Sequence, residues 1–115
     1  MKFSANIENS QSWIIENRDY LEINWNDRAI SEHLQKENSF NFYLLDDDHP
    51  IGVLIGHFLY QDQNVSEFEI LHIAVLPEFR NQGLGRMILE ELEKQLKSTG
   101  TVSYTHLTLP TNLCV

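Results

Sequence analysis

Hydrophobic residues gather in three runs along the middle of the chain. Residues 51–60 read IGVLIGHFLY and residues 68–75 read FEILHIAV, so most successive positions are apolar in both runs. Runs of this kind are typical of strands that are covered on both faces. Residues 40–45 form a shorter run of the same type, and only a few turn residues separate one run from the next. The pattern predicts an antiparallel meander of three strands.

Helical spacing is found on both sides of this meander. The mixed pattern between residues 7 and 20 favours a helix. Asn26 is a good N-cap for a second helix, which we expect to end near Asn38. After the third strand, leucine and isoleucine recur at every fourth position, which predicts a long amphipathic helix that packs on the sheet. The residues of this stripe are Leu84, Ile88, Leu92 and Leu96.

Together these elements indicate an α/β (α+β) protein with a mixed sheet, mostly an antiparallel meander, flanked by helices. A chain of 115 residues has room for one domain with a modest core. No apolar run approaches the roughly 20 residues of a membrane span, and the first residues lack the pattern of a signal peptide. The sequence therefore predicts a cytoplasmic protein that does not act at a membrane.

The charge of the chain narrows the range of its ligands. Eight Lys and Arg stand against 17 Asp and Glu, which gives a net charge of -9. This charge repels a phosphate backbone and attracts cations, so we expect amines or basic peptides as partners and no nucleic acid. An acidic surface that serves only solubility is the alternative.

Cysteine and histidine usage gives no sign of a metal. The single cysteine, Cys114, excludes an intrachain disulfide and a thiolate cluster. The five histidines show no paired spacing of the kind that metal ligands adopt, so the sequence predicts no metal. They are His33, His49, His57, His72 and His106.

The stretch PEFRNQGLGRMI places Gly83 and Gly85 between the last strand and the long helix. A glycine turn at a helix start directs several backbone N–H groups, together with the positive end of the helix dipole, at one point, which suits a phosphate. The dinucleotide fingerprint is excluded by Ile88 and the Walker loop by Arg86. A tightly packed helix start without a ligand is the structural alternative.

The longer stretch ILHIAVLPEFRNQGLGRMILEELEKQL resembles the acetyl-CoA-binding motif of the GCN5-related N-acetyltransferase (GNAT) family. The shared features are a strand that ends in I-A-V, a following proline, and R-x-x-G-x-G at the start of a helix. Residues upstream are similar to the ribosomal-protein-alanine N-acetyltransferase type within that family. The resemblance covers residues 1–100.

This resemblance implies acetyl-CoA as the co-substrate and a primary amine as the acceptor, with a protein N-terminal α-amine expected first. A small amine such as a polyamine or a drug, or a non-catalytic acyl-CoA-binding module, are the alternatives. The resemblance also implies that the backbone of Ile73, Ala74 and Val75 pairs with the pantetheine arm. The residues implied for the pyrophosphate are Arg80, at the family's Q/R position, with Asn81, Gln82, Gly83, Leu84, Gly85 and Arg86.

Direct attack of an amine on a thioester needs no nucleophilic Ser or Cys. Glu69 matches the strand glutamate that is the general base in the histone-acetylating branch of the family; a solvated carboxylate is the alternative. We expect His72 on the opposite face from Glu69, as a packed or hydrogen-bonded side chain. Trp25 lies either in the acceptor cleft or in the core, and Gly52 and Gly56 are expected at packing or bulge positions.

The last residues raise a separate question. Residues 102–111, VSYTHLTLPT, read like the translation of a transposase-based sequencing adapter, so we expect residues 101–115 to be non-native. Residues 1–100 would then be about the first two thirds of a family domain, without its general acid, and we expect little turnover from this chain. The adapter-like stretch alternates like a half-buried strand, and Tyr104 in it does not correspond to the family's helix-borne tyrosine.

Overall fold

A computed structural model describes residues 1–61, 66–98, 104–108 and 115 of the chain. In chain order the elements are β1 (Lys2–Ser4), α1 (Ser10–Glu16), α2 (Asp27–Gln35), β2 (Ser39–Asp46), β3 (His49–Gln61), β4 (Ser66–Val75), a 3₁₀ turn (Pro77–Phe79), α3 (Leu84–Ser98) and β5 (Tyr104–Thr108). None of the helices in these described ranges is long and apolar enough to cross a membrane.

The strands form one mixed sheet in the order β1-β2-β3-β4-β5. The first four are antiparallel to their neighbours, and β5 runs parallel to β4. The predicted meander of β2, β3 and β4 and the mostly antiparallel α/β class are therefore confirmed. The sequence pattern missed β1, because three residues are too few to show an alternation.

The helices begin and end where local signals are strongest. The side chain of Asn26 accepts a hydrogen bond from the N–H of Ala29 at 2.8 Å, so the predicted N-cap of α2 is confirmed. This helix ends at Gln35, before the expected Asn38, because Lys36 already has extended backbone angles. Helix α1 is shorter than residues 7–20, since Asn9 before it has a left-handed φ of 54°.

The sheet is covered on both faces, as its continuous apolar strands predict. One face packs against α3, whose four predicted stripe residues are all buried against Phe42, Leu54, Phe68 and Ile73. The other face packs against the first two helices through a second cluster. Its buried members are Ile14, Leu21, Ile23, Ile30, Tyr43, Leu45, Val53, Ile55 and Ala74.

A β-bulge interrupts β4 in its middle. Ile55 of β3 pairs with His72 and the next residue, Gly56, pairs with Ile70, so Leu71 is an extra residue in β4. Because of this extra residue, Leu71 and His72 both lie on the face that packs against α1 and α2. Glu69 lies on that face too, where it pairs with His57. The prediction that His72 and Glu69 lie on opposite faces was therefore wrong.

The two glycines of β3 are packing positions, which confirms that prediction. A Cβ atom added to Gly56 would lie 2.4 Å from Cζ of Phe68 and 2.9 Å from the carbonyl oxygen of Glu69. One added to Gly52 would lie 3.2 Å from the carbonyl oxygen of Ala74. Gly56 thus lets the Phe68 ring cross β3 beside the bulge.

Candidate active site

The glycine loop joins the end of β4 to the start of α3. Asn81 and Gly83 both have left-handed backbone angles, with φ of 64° and 79°. The N–H of Met87 donates to the carbonyl of Gly83 at 3.2 Å and closes the first helical turn. The N–H groups of residues 84–86 precede this bond and have no acceptor within the helix. An atom added as Cβ to Gly83 would meet nothing within 4 Å, so the loop faces open space.

Gly85 allows another group to approach the loop backbone closely. A Cβ at this position would lie 2.5 Å from Cβ of Val115. The N–H of Asn81 donates to the main-chain oxygen of Val115 at 3.3 Å. The loop therefore already holds one acceptor oxygen in this structure, and its glycines leave room for the group that carries the oxygen. The residues present fit an anionic ligand.

Arg80 fixes the loop to the rest of the fold. Its Nε donates to the carbonyl of Val75 at 2.9 Å and its Nη2 to the carbonyl of Tyr20, while Nη1 lies 3.5 Å from the carboxylate of Glu22. The guanidinium thus joins the end of β4 to the connection between α1 and α2. Sequence reasoning placed Arg80 among the pyrophosphate residues and did not predict this contact; a role in ligand binding stays a prediction.

The C-terminal half of β4 offers a backbone edge. Ile73, Ala74 and Val75 pair with β3 through Leu54, Val53 and Gly52. On its other side, β4 pairs with β5 only through its first residues, from Ser66 to Glu69. Among the described residues, no strand lies against the second edge at positions 73–75. An extended ligand can add there as if it were a strand.

A cavity of about 340 Å³ lies between α2 and the sheet. Trp25, His33, His57 and Leu71 line it, with Ala29, Glu32 and Lys36 towards its rim. The Trp25 ring meets the His33 ring edge-on at 5.5 Å and also packs against the second core cluster. Trp25 thus borders a cavity and packs against the core, and its role in an acceptor cleft stays a prediction.

Glu69 lies beside this cavity rather than in its wall. Its Oε1 is 2.7 Å from Nε2 of His57, which stands directly opposite on β3. Sequence reasoning named Glu69 but missed His57. His57 could have been found from its position opposite Glu69. That position depends on the β3–β4 register, and the bulge shifts this register by one residue.

Two other histidines on this face are held by hydrogen bonds. Nε2 of His33 lies 2.9 Å from Oδ1 of Asn41, and Nε2 of His72 lies 2.8 Å from the carbonyl of Leu21. Burial lowers the pKa of both side chains, against the smaller opposing effect of these hydrogen bonds. The prediction that His72 is a hydrogen-bonded histidine is confirmed.

Within the described ranges, no group of three His, Cys, Asp or Glu side chains could hold a metal ion. The polar groups described above are the backbone N–H donors of the glycine loop and the pair of His57 and Glu69. Backbone N–H donors suit the binding of an anionic ligand, and a histidine–carboxylate pair suits acid–base chemistry.

Among the described residues, the site combines a bulged β4, an edge of β4 without a strand at positions 73–75 and a glycine loop at the start of α3. The model of the acetyltransferase (GNAT) family matches residues 9–113, and the chain belongs to this family. Its members use acetyl-CoA.

Similar proteins place the chain near one branch of the family. It is 32% identical over 92 residues to the [ribosomal protein bS18]-alanine N-acetyltransferase of Salmonella typhimurium, covering 80% of this chain and 57% of that protein. The ribosomal-protein-S18-alanine N-acetyltransferase of Escherichia coli has a TM-score of 0.72 at 24% identity, covering 87% of this chain and 61% of the other.

The ribosomal-protein-alanine N-acetyltransferase of Brucella melitensis has a TM-score of 0.76 at 15% identity, with 96% of this chain and 82% of the other covered. The two structural matches show the shared fold. The chain spans less than two thirds of the length of the Salmonella and Escherichia proteins.

Proposed function

We propose that the protein to which this chain belongs transfers an acetyl group from acetyl-CoA to the α-amine of a protein N-terminus. The observation that carries the proposal is the glycine loop with Gly83 and Gly85 at the start of α3, next to the edge of β4 that no strand of the described ranges covers. Sequence similarity to an alanine N-acetyltransferase supports the choice of acceptor.

The loop and the strand edge would bind the two parts of acetyl-CoA. The N–H groups of residues 84–86 and of Asn81 would hold the pyrophosphate, each hydrogen bond to a charged group contributing about 1.5–3 kcal/mol. The backbone of Ile73, Ala74 and Val75 would pair with the pantetheine arm. When bound, acetyl-CoA supplies an acetyl thioester that an amine can attack.

An N-terminal α-amine needs only weak base catalysis from the protein to lose its proton. A free α-amine has a pKa of about 7.7–8.0 and a lysine about 10.4, so at neutral pH the α-amine needs far less help to lose its proton. Glu69 and His57 provide a carboxylate and an imidazole beside the cavity. The net charge of -9 favours approach of a cationic acceptor.

The surface around Trp25 supports an acceptor larger than a small amine. Trp25 borders both the cavity and a wider open depression of about 740 Å³. Acidic and basic side chains, among them Arg18, Asp19 and Asp27, border that depression. A peptide could place its first residue in the cavity and the following residues across Trp25.

Binding of acetyl-CoA tests the loop directly. We expect isothermal titration calorimetry to show binding by the chain and affinity at least tenfold weaker in Gly83→Val, because Val at φ 79° is strained and its side chain occupies the open space in front of the loop. Asp47→Val is a matched control, since Asp47 also has a positive φ, 49°, but lies in the β2–β3 turn. Equal affinity in the two variants would contradict the proposal.

Acetyl transfer tests the acceptor. The assay uses the full-length protein, because we expect little turnover from the present chain. A peptide with a free N-terminal alanine is compared with the same peptide whose N-terminus is blocked and whose only amine is a lysine. Mass spectrometry should find acetylation of the first peptide alone. Acetylation of the lysine peptide at an equal rate would contradict the N-terminal assignment, and binding of acetyl-CoA without any transfer would favour the non-catalytic module.

A further inference from the structure

His57 and Glu69 form a hydrogen-bonded pair between two neighbouring strands. They are directly opposed in the β3–β4 register, and Nε2 of His57 lies 2.7 Å from Oε1 of Glu69. The side chains are 16% and 30% exposed, so the pair is partly shielded from solvent. His57 lines the 340 Å³ cavity and Glu69 does not. The imidazole therefore lies between the carboxylate and the space where an acceptor can enter.

The hydrogen bond determines which ring nitrogen of neutral His57 carries the proton. An ionised carboxylate only accepts hydrogen bonds, so Nε2 must be the donor. The lone pair of the ring is then on Nδ1. A base held in one tautomer by a carboxylate is the arrangement that activates an attacking group in many transferases and hydrolases.

Two other ionisable groups around the cavity, His33 and Glu32, are engaged elsewhere. Nε2 of His33 bonds to Asn41 Oδ1, an oxygen that also accepts the N–H of Gly56, and burial lowers the pKa of His33. Glu32 pairs with Arg28 on the exposed side of α2. Lys36 is the C-cap residue of that helix, and a lysine ammonium only donates hydrogen bonds.

We propose that His57, and not Glu69, accepts the proton of the acceptor amine, and that Glu69 is a positioning residue that fixes the tautomer of His57. The inference rests on the proposed acetyl transfer. In the proton-transfer step, R–NH₃⁺ gives one proton to Nδ1 of neutral His57. The products are R–NH₂ and an imidazolium, and the electron pair of the broken N–H bond stays on the amine nitrogen.

The imidazolium is stabilised by the adjacent carboxylate, 2.7 Å away. The freed lone pair on nitrogen is what makes the amine a nucleophile. After the acceptor leaves, the imidazolium returns its proton to water. Glu69 keeps its charge throughout and acts only through His57.

The test uses the 115-residue chain and L-alaninamide as a small probe with a free α-amine. In ¹⁵N-histidine-labelled protein, long-range ¹H–¹⁵N NMR spectra identify the tautomer of each ring. We expect the neutral His57 ring to carry its proton on Nε2, and we expect alaninamide to shift its Nδ1 signal. An Nδ1–H tautomer, or no shift of His57 at saturating probe, would overturn the proposal, and neither result depends on a variant.

Variants separate the two residues. His57→Gln should weaken alaninamide binding by about tenfold or more, the value of a hydrogen bond to a charged group. The matched control is His72→Gln, the same change on the same face of the sheet, which should bind the probe as the wild type does. Glu69→Gln should convert part of the His57 population to the Nδ1–H tautomer, because a carboxamide can donate as well as accept. A pure steric role for Glu69 would leave the tautomer unchanged.

The same samples distinguish failure of this proposal from failure of the proposed function. Acetyl-CoA binding is measured on each protein in parallel. Wild-type chain that binds acetyl-CoA while His57→Gln and His72→Gln bind alaninamide equally would overturn the role of His57 alone. Wild-type chain that does not bind acetyl-CoA would overturn the acetyl transfer on which it rests.

Discussion

The Phe68 ring occupies the space that a side chain at Gly56 would need. A Cβ added there would lie 2.4 Å from the ring and 2.9 Å from a backbone oxygen, and neither Phe68, which is fully buried, nor the strand can move away easily. The two residues lie next to the bulge of β4, on strands that carry His57 and Glu69. The packing of this pair therefore helps to hold the candidate active site in place.

Gly56→Ala should destabilise the protein by about 1–3 kcal/mol, the usual range for overpacking a core. Urea denaturation followed by circular dichroism measures the change. Gly52→Ala is the comparison and should cost less, because its added Cβ would be 3.2 Å from the nearest atom rather than 2.4 Å. If Gly56→Ala were as stable as Gly52→Ala, the close packing of Phe68 against Gly56 would be refuted.

Arg80→Lys should lower the free energy of unfolding by about 1–3 kcal/mol. A lysine cannot reproduce the fork that bonds the carbonyls of Val75 and Tyr20 together, and hydrogen bonds to charged groups each contribute about 1.5–3 kcal/mol. Arg86→Lys, at an 86% exposed side chain, should have almost no effect on stability. Unchanged stability in Arg80→Lys with weaker acetyl-CoA binding would instead favour the role that the sequence predicted.

The protein should lose stability as the pH falls below about 6.5. Burial lowers the folded-state pKa of His33 and of His72 below that ordinary value. The unfolded chain therefore binds more protons in this window, so the stabilising contribution is complete above it and is lost as the pH falls through the folded-state pKa.

Thermal unfolding at pH 7.5 and at pH 5.5 measures this effect. The double variant His33→Gln and His72→Gln should show a smaller drop than the wild type. His49→Gln, at the exposed first residue of β3, is the control and should keep the full drop. A double variant with an undiminished drop would assign the pH dependence to other groups.

Val115 and acetyl-CoA should exclude each other at the glycine loop. The side chain of Val115 lies where a Cβ of Gly85 would be, and its backbone oxygen accepts the N–H of Asn81. Val115→Ala should therefore raise the affinity for acetyl-CoA by about two- to fivefold, since fewer apolar contacts must be displaced. Leu59→Ala, at an exposed residue of β3, is the calorimetric control. Unchanged affinity in Val115→Ala would place the ligand elsewhere.

Local signals in the sequence predicted the parts of the fold that depend on near neighbours. The stripe of α3 and the cap at Asn26 are set by residues within one or two turns, and both are confirmed. The bulge at Leu71 gave no such signal, because one extra leucine does not interrupt a run that is mostly apolar on both faces. For that reason the faces of His72 and Glu69 were assigned wrongly.

The candidate site was predictable only in part for a related reason. Gly83 and Gly85 indicate by their residue type alone that another group can approach the backbone closely, so the sequence predicts the loop. His57 becomes meaningful only through its partner twelve residues away, and the contact of Arg80 with Tyr20 spans 60 residues. Contacts of this range depend on strand register and helix packing, which local patterns do not encode.

The bulge also determines how the length of β4 can change. In a regular strand, loss of one residue exchanges the two faces for every side chain beyond it. Removal of Leu71 would instead make the side chains from Phe68 to Val75 alternate strictly between the two faces. Each buried side chain would stay in its present hydrophobic core. Related chains that differ by one residue in this strand are therefore expected to place the gap at Leu71.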